Sequence, residues 1–134
     1  IASLDPLPGA KEFLDKVRMT RELVILSDTF REFALPLMKK LGQPTLFCHE
    51  LETSVSGRIE KVKFRIPDHK RKSVQYFQKL NFRVSAAGDS YNDLGMLLAA
   101  DRCAFYNPPT SITVEYPDIQ VLTDFESLCK FIEN

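Results

Sequence analysis

The sequence lacks a surplus of either charge: 18 Lys and Arg stand against 18 Asp and Glu in 134 residues, a net charge of zero. That removes the electrostatic footprint of a nucleic-acid binder. It also lacks the run of roughly 18–20 apolar residues that a membrane span needs. Its opening residues, Ile1-Ala2-Ser3-Leu4-Asp5, carry no basic stretch leading into an apolar block, so neither a membrane partner nor a secretory signal is expected. Cysteine is scarce: Cys48, Cys103 and Cys129 are odd in number and far apart, fitting neither a disulfide framework nor a zinc knuckle. A reducing, cytoplasmic setting is the simplest reading. What is present is 44% hydrophobic residues, ten Phe and four Tyr among them, which is enough core for one soluble domain over 1–134.

Along the chain, two periodicities alternate. Ala10, Phe13, Leu14 and Val17 recur at helical spacing, predicting a helix over 8–20 entered through Pro8. The branched run 23–26 predicts a buried strand that ends in Ser27-Asp28-Thr29, the cap of a helix carrying Phe30, Phe33, Ala34, Leu37, Met38 and Leu41 and stopped by Gly42. A short strand at 45–48 precedes a hairpin, 50–53 against 59–66, turning at Gly57. Helices are expected over 69–80, with Leu80 inward, and over 92–100, 110–115 and 125–132. Strands are expected over 82–87, 103–106 and 119–122. The alternation predicts the α/β class, a Rossmann-like parallel sheet with helices on both faces. Ligands then bind beyond the carboxyl ends of the strands.

Three strand ends carry polar chemistry. At Gly88-Asp89-Ser90-Tyr91-Asn92-Asp93, Gly88 permits a tight turn, Asp89 offers the hard oxygen donor that Mg²⁺ takes, and Asp93 follows four residues later with Asn92 beside it. The same residues also read as the cap of the next helix. At the first strand end, Ser27 offers a hydroxyl and the amides of Asp28 and Thr29 open a helix whose positive end suits phosphate, or Ser27 is a plain N-cap. Lys70, Arg71 and Lys72 lie at a helix start, where the macrodipole disfavours cations. A phosphate nearby would account for them, as would a solvated face. Asn107, which closes the strand before Pro108-Pro109, is placed at the pocket rim.

In that order, Leu23-Val24-Ile25-Leu26-Ser27-Asp28-Thr29, the Lys70 helix and Gly88-Asp89-Ser90-Tyr91-Asn92-Asp93 resemble motifs II, III and IV of the haloacid dehalogenase superfamily, with a likeness that runs nearly end to end. The phosphoserine phosphatase branch is the nearest, and within it the bifunctional phosphoserine phosphatase and phosphoserine:homoserine phosphotransferase subgroup. The resemblance implies Mg²⁺-dependent phosphoryl transfer from O-phosphoserine through an aspartyl phosphate, to water or homoserine. It implies that Ser27 hydrogen-bonds the phosphoryl oxygens, Lys70 offsets negative charge, Asp89 binds the metal, Asp93 supports the site and Asn92 contacts phosphate or substrate. Thr29 and Ser90 are weaker phosphate contacts, Asp28 is a substrate-side residue of motif II, and Arg71 stands in for Lys70 if needed.

The family's first motif, an apolar strand ending in Asp-x-Asp or Asp-x-Glu, has no counterpart here: Asp5 leads into Pro6-Leu7-Pro8, Phe30 stands where Asp28 would need a second acid, and Asp101 precedes its strand. The chain therefore reads as an incomplete haloacid dehalogenase core lacking the first strand and the cap, which normally supplies much of the recognition of the amino-acid end. The strands at 23–26 and 82–87 are then expected to lose a neighbour. Three classes follow: the carboxy-terminal part of an enzyme, a remnant that binds phosphate and Mg²⁺ without turnover, or an interaction module that pairs with itself as a homodimer or with the absent segment.

Overall fold

The computed structural model describes residues 5–134. The chain divides into two compact units, one ending at Pro67 and one running from Asp68 to Asn134.

In the first unit, α1 (Ala10–Arg18) presents Leu14 and Val17 inward, and its ends match the helix dipole, with Glu12 in the first turn and Lys16 and Arg18 in the last. Strand β1 (Val24–Phe30) leads into α2 (Arg31–Lys40), which contains Pro36. The helix closes at Gly42, at φ +84°. There the Gln43 amide donates to the Met38 carbonyl at 2.8 Å and the Gly42 amide to Lys39 at 3.3 Å. This paired closure needs a left-handed residue, which glycine adopts without strain. Leu14, Ala34, Met38, Leu41, Leu46 and Cys48 form the core.

Strand β2 (Thr45–Thr53) is one continuous element where the sequence pattern predicts two. Its first half pairs parallel with β1 and its second half antiparallel with β3 (Ile59–Lys63), giving the order β1-β2-β3. The hairpin expected near 50–66 is present, with Gly57 at φ +84° in its turn.

The second unit begins with α3 (His69–Lys79), followed by β4 (Ser85–Gly88), a 3-10 turn (Tyr91–Asp93), α4 (Leu94–Ala99), β5 (Arg102–Tyr106), α5 (Thr110–Glu115), β6 (Val121–Leu122) and α6 (Phe125–Glu133). Its sheet has the order β4-β5-β6, parallel throughout. Leu97, Ala104, Phe105 and Ile112 are wholly enclosed.

Several expectations change. The strand over 82–87 shortens to β4, and Leu80, expected inward, is 69% exposed because it is the last residue before α3 turns back. Asn81 at φ 69° makes that turn, the Phe82 amide donates to the Phe77 carbonyl at 3.0 Å, and the two rings meet edge to face at 6.4 Å. Phe82, expected in a strand, thus clasps a helix end. Among the described residues β1 and β4 are each bonded on one side only. This explains why β1, expected to be buried, is only half-buried over most of its length.

Candidate active site

In β1 the helix does not begin where the sequence places its cap. Leu26 pairs with Phe47 and Phe30 with His49, so four steps along β1 match two along β2. Ser27, Asp28 and Thr29 bulge from the ladder, a device that re-aims side chains at strand ends. The Thr29 amide donates to the Ser27 hydroxyl oxygen at 3.2 Å, and α2 starts two residues later, at Arg31. The amides of Asp28 and Thr29 therefore belong to a bulged strand and not to a helix N-terminus.

A histidine on β2 faces this bulge. Nε2 of His49 lies 3.6 Å from Oδ1 of Asp28, while its Nδ1 accepts the Arg65 amide at 3.0 Å. With Nδ1 accepting, the neutral ring carries its proton on Nε2, the nitrogen turned towards Asp28. Phe30 and Phe64 flank the ring at 6.1 and 5.1 Å. Arg65 also donates from Nε to the Cys48 carbonyl at 3.0 Å, so the return segment of the hairpin is tied to β2 at the position of His49. Polar residues at the ends of adjoining strands are the signal that would have found this pair.

In the second unit, Asp93 is the hub. Its Oδ1 accepts Lys70 Nζ at 2.9 Å, and its Oδ2 accepts the amides of Asp89 at 2.9 Å and Ser90 at 3.2 Å and the Ser90 hydroxyl at 3.4 Å. The side chains of Lys70 and Asp93 are 13% and 10% exposed. Burial pushes the Asp93 carboxyl up, but the Lys70 hydrogen bond, the Asp89 amide and the lysine charge outweigh it and hold the group below the usual carboxylate range. The cap expected in this loop serves the 3-10 turn, where Asp93 closes a capping box with Ser90, and not α4; the same carboxylate anchors the Lys70 ammonium.

That anchor accounts for one of the cations at the start of α3. Lys70 reaches Asp93, while Arg71 pairs with Asp68 across one turn. Asp68 occupies the N-cap position at φ 55°, yet its side chain makes no capping bond to the helix.

Gly88 acts differently from the tight turn first expected. A Cβ built on it would lie 2.6 Å from both the Cβ and Oδ2 of Asp93, so the side chain of Asp93 folds over bare backbone.

Asp89 projects from this corner with an exposed side chain. Lost hydration, and then the negative charge of Asp93, raise its pKa. A carboxylate whose ionisation is opposed by a like charge is a place where a divalent cation gains most. Because both oxygens of Asp93 are already engaged, Asp89 is the oxygen donor that the corner offers a metal, which fits Mg²⁺, an ion that keeps several waters and takes few carboxylates. Asn92 is exposed on the same turn, and Tyr91 donates to Glu115 on α5 at 2.7 Å. Ser27, Asp28 and Thr29 stand in the first unit, and Lys70, Asp89, Asn92 and Asp93 in the second.

A phosphoserine phosphatase of Pseudomonas syringae pv. tomato is 45% identical over 130 residues, covering 97% of this chain and 55% of that protein. Phosphoserine phosphatase ThrH of Pseudomonas aeruginosa is 47% identical over 128 residues, covering 96% and 62%. The chain thus spans little more than half the length of these relatives. Among solved structures, a phosphoserine phosphatase from T. onnurineus superposes with a TM-score of 0.72 at 23% identity, covering 98% of this chain and 60% of that one. A probable phosphoserine phosphatase from Vibrio cholerae does so at 0.75 and 21%, covering 95% and 42%. These two likenesses show a shared α/β fold. A family model for haloacid dehalogenase-like hydrolases matches residues 1–101, three quarters of the sequence and all three motif segments, and the chain belongs to that family.

Proposed function

We propose that this chain is the carboxy-terminal part of a Mg²⁺-dependent phosphoserine phosphatase, its two units belonging to one haloacid dehalogenase-like core domain. The observation that carries the reading is the double anchoring of Asp93, by Lys70 on one oxygen and the Asp89 and Ser90 amides on the other. It keeps an ammonium group and an exposed carboxylate at one strand end. Relatives 45–47% identical that are named phosphoserine phosphatases support O-phosphoserine as the substrate; homoserine as a second acceptor besides water rests on the motif resemblance alone.

In this reading Ser27 donates its hydroxyl proton to a phosphoryl oxygen, with Thr29 and Asn92 as further contacts. Lys70 contributes positive charge where the transferring phosphoryl group carries its negative charge, the kind of fixed electrostatics that lowers such barriers most. Asp93 keeps Lys70 charged and in place. Asp89 holds the metal, which when bound neutralises charge on the phosphoryl oxygens. The nucleophilic carboxylate, which becomes the aspartyl phosphate, is supplied by residues outside Ile1–Asn134. No helix among the described residues is long and apolar enough to cross a membrane. The reducing, cytoplasmic setting rests on the three cysteines, which form no disulfide with one another.

The test is phosphate release from O-phosphoserine, with and without Mg²⁺, by the polypeptide at its natural length, by residues 1–134 alone, and by Asp89→Asn. Activity at natural length that needs both Mg²⁺ and Asp89, with none from 1–134 alone, is the expected result. Turnover by 1–134 alone would refute the outside nucleophile. Binding of both Mg²⁺ and inorganic phosphate without turnover in any form would instead identify a binding remnant.

A further inference from the structure

We infer that Asp28, positioned by His49, takes the cationic amino end of the substrate and so selects ammonium-bearing phosphomonoesters. The inference rests on the phosphatase reading and refines it. Asp28 leaves the β1 ladder in the same bulge as Ser27, between the fixed pairs Leu26–Phe47 and Phe30–His49, and its side chain is half exposed. A carboxylate next to the hydroxyl that meets a phosphoryl group repels that group, since like charges at close range disfavour each other. Its favourable partner is a cation.

His49 fits the part of a positioning residue. It is buried, packs against both Phe30 and Phe64, and has its Nδ1 committed to the Arg65 amide, so the ring cannot turn without breaking that bond. The proton is thereby left on Nε2, 3.6 Å from Asp28 Oδ1. A donor fixed on that side orients the carboxylate towards His49. Asp28 then presents a charged, oriented acceptor at a set distance from Ser27. A phosphomonoester carrying an ammonium group a few bonds from its phosphate satisfies both ends at once, and one without the ammonium leaves the carboxylate facing an anion.

The experiment compares O-phosphoserine with 3-phosphonooxypropanoate, the same ester with the ammonium replaced by hydrogen, using the polypeptide at its natural length. The expected ratio of kcat/KM between the two is about 10- to 100-fold, the scale of one charge-assisted contact. In Asp28→Asn that ratio falls towards one, mostly through a higher KM for O-phosphoserine, while Asp28→Glu retains part of it. His49→Gln, which keeps a donor near Nε2, holds more of the ratio than His49→Leu. An unchanged ratio in Asp28→Asn, or a wild-type ratio near one, overturns the ammonium assignment while leaving the phosphatase reading intact. If the unsubstituted protein hydrolyses neither ester, the phosphatase reading falls and this inference with it. Both esters are measured on the same preparation, so a loss of folded protein cancels from the ratio, and this separates recognition from folding.

Discussion

Asp93 folds its side chain across the backbone of Gly88 so closely that a methyl group at position 88 would sit 2.6 Å from its Cβ. Gly88→Ala must therefore push Asp93 away from Lys70 and the Asp89 amide, or bend the end of β4. Overpacking of this kind costs about 1–3 kcal/mol, and a chain of this size loses roughly 3–5 °C in Tm for each kcal/mol. Thermal unfolding of the variant checks it, and an unchanged Tm would mean that the contact relaxes freely.

The Lys70–Asp93 pair is largely enclosed, so removing one partner takes the counter-charge from the other. Lys70→Met is expected to cost about 3–5 kcal/mol, and Asp93→Leu a comparable amount. The double variant should lose much less than the sum, because two apolar side chains of similar bulk leave no unpaired charge. Denaturant titration of the four proteins gives the coupling directly, and strict additivity would show that the pair does not interact.

The two aspartates of this corner respond to acid in opposite senses. Asp93 is lowered, so its contribution to stability is present above the unfolded value of about 3.9 and lost as pH falls through its folded value. Asp89 is raised, so its contribution is present below the unfolded value and lost as pH rises through the folded one. Asp89→Asn should therefore raise Tm near neutral pH in the absence of divalent ions. Added Mg²⁺ should stabilise the unsubstituted protein and leave the variant unmoved. Melting curves with and without Mg²⁺ decide both points, and a variant that still gains from Mg²⁺ would remove Asp89 from the metal site.

The Tyr91–Glu115 hydrogen bond gives a spectroscopic handle. The bond to Glu115 raises the Tyr91 phenol above its ordinary value near 10. Ultraviolet titration should show one tyrosine ionising late, and Glu115→Gln should bring it earlier. Since the shift is upward, the stability it lends is complete below the unfolded value and fades as pH rises past the folded one. A Tyr91 titration indifferent to Glu115 would show that the bond does not form in solution.

Much of this was legible in the sequence because it is local. The alternation of helix and strand, the Gly42 helix stop and the hairpin around Gly57 all follow from neighbouring residues. Lys70, Asp89 and Asp93 each stood out by type and place. The bond between Lys70 and Asp93 did not, because the partners are 23 residues apart and meet only when α3 packs against α4, whose N-cap is Asp93. The bulge at Ser27–Thr29 depends on how many residues β2 spends opposite β1, which no pattern within β1 records. Nor does the sequence record that the Asp68 carboxylate, at the N-cap of α3, pairs with Arg71.

The bulge divides labour along a single strand. Pairing is set by Leu26 and Phe30 on either side of it, so the three side chains between them are exempt from the rules that fix a ladder. Substitutions there can alter what the protein recognises while the fold stays in register, which makes 27–29 the natural place for relatives of this chain to diverge in substrate while remaining alike in architecture.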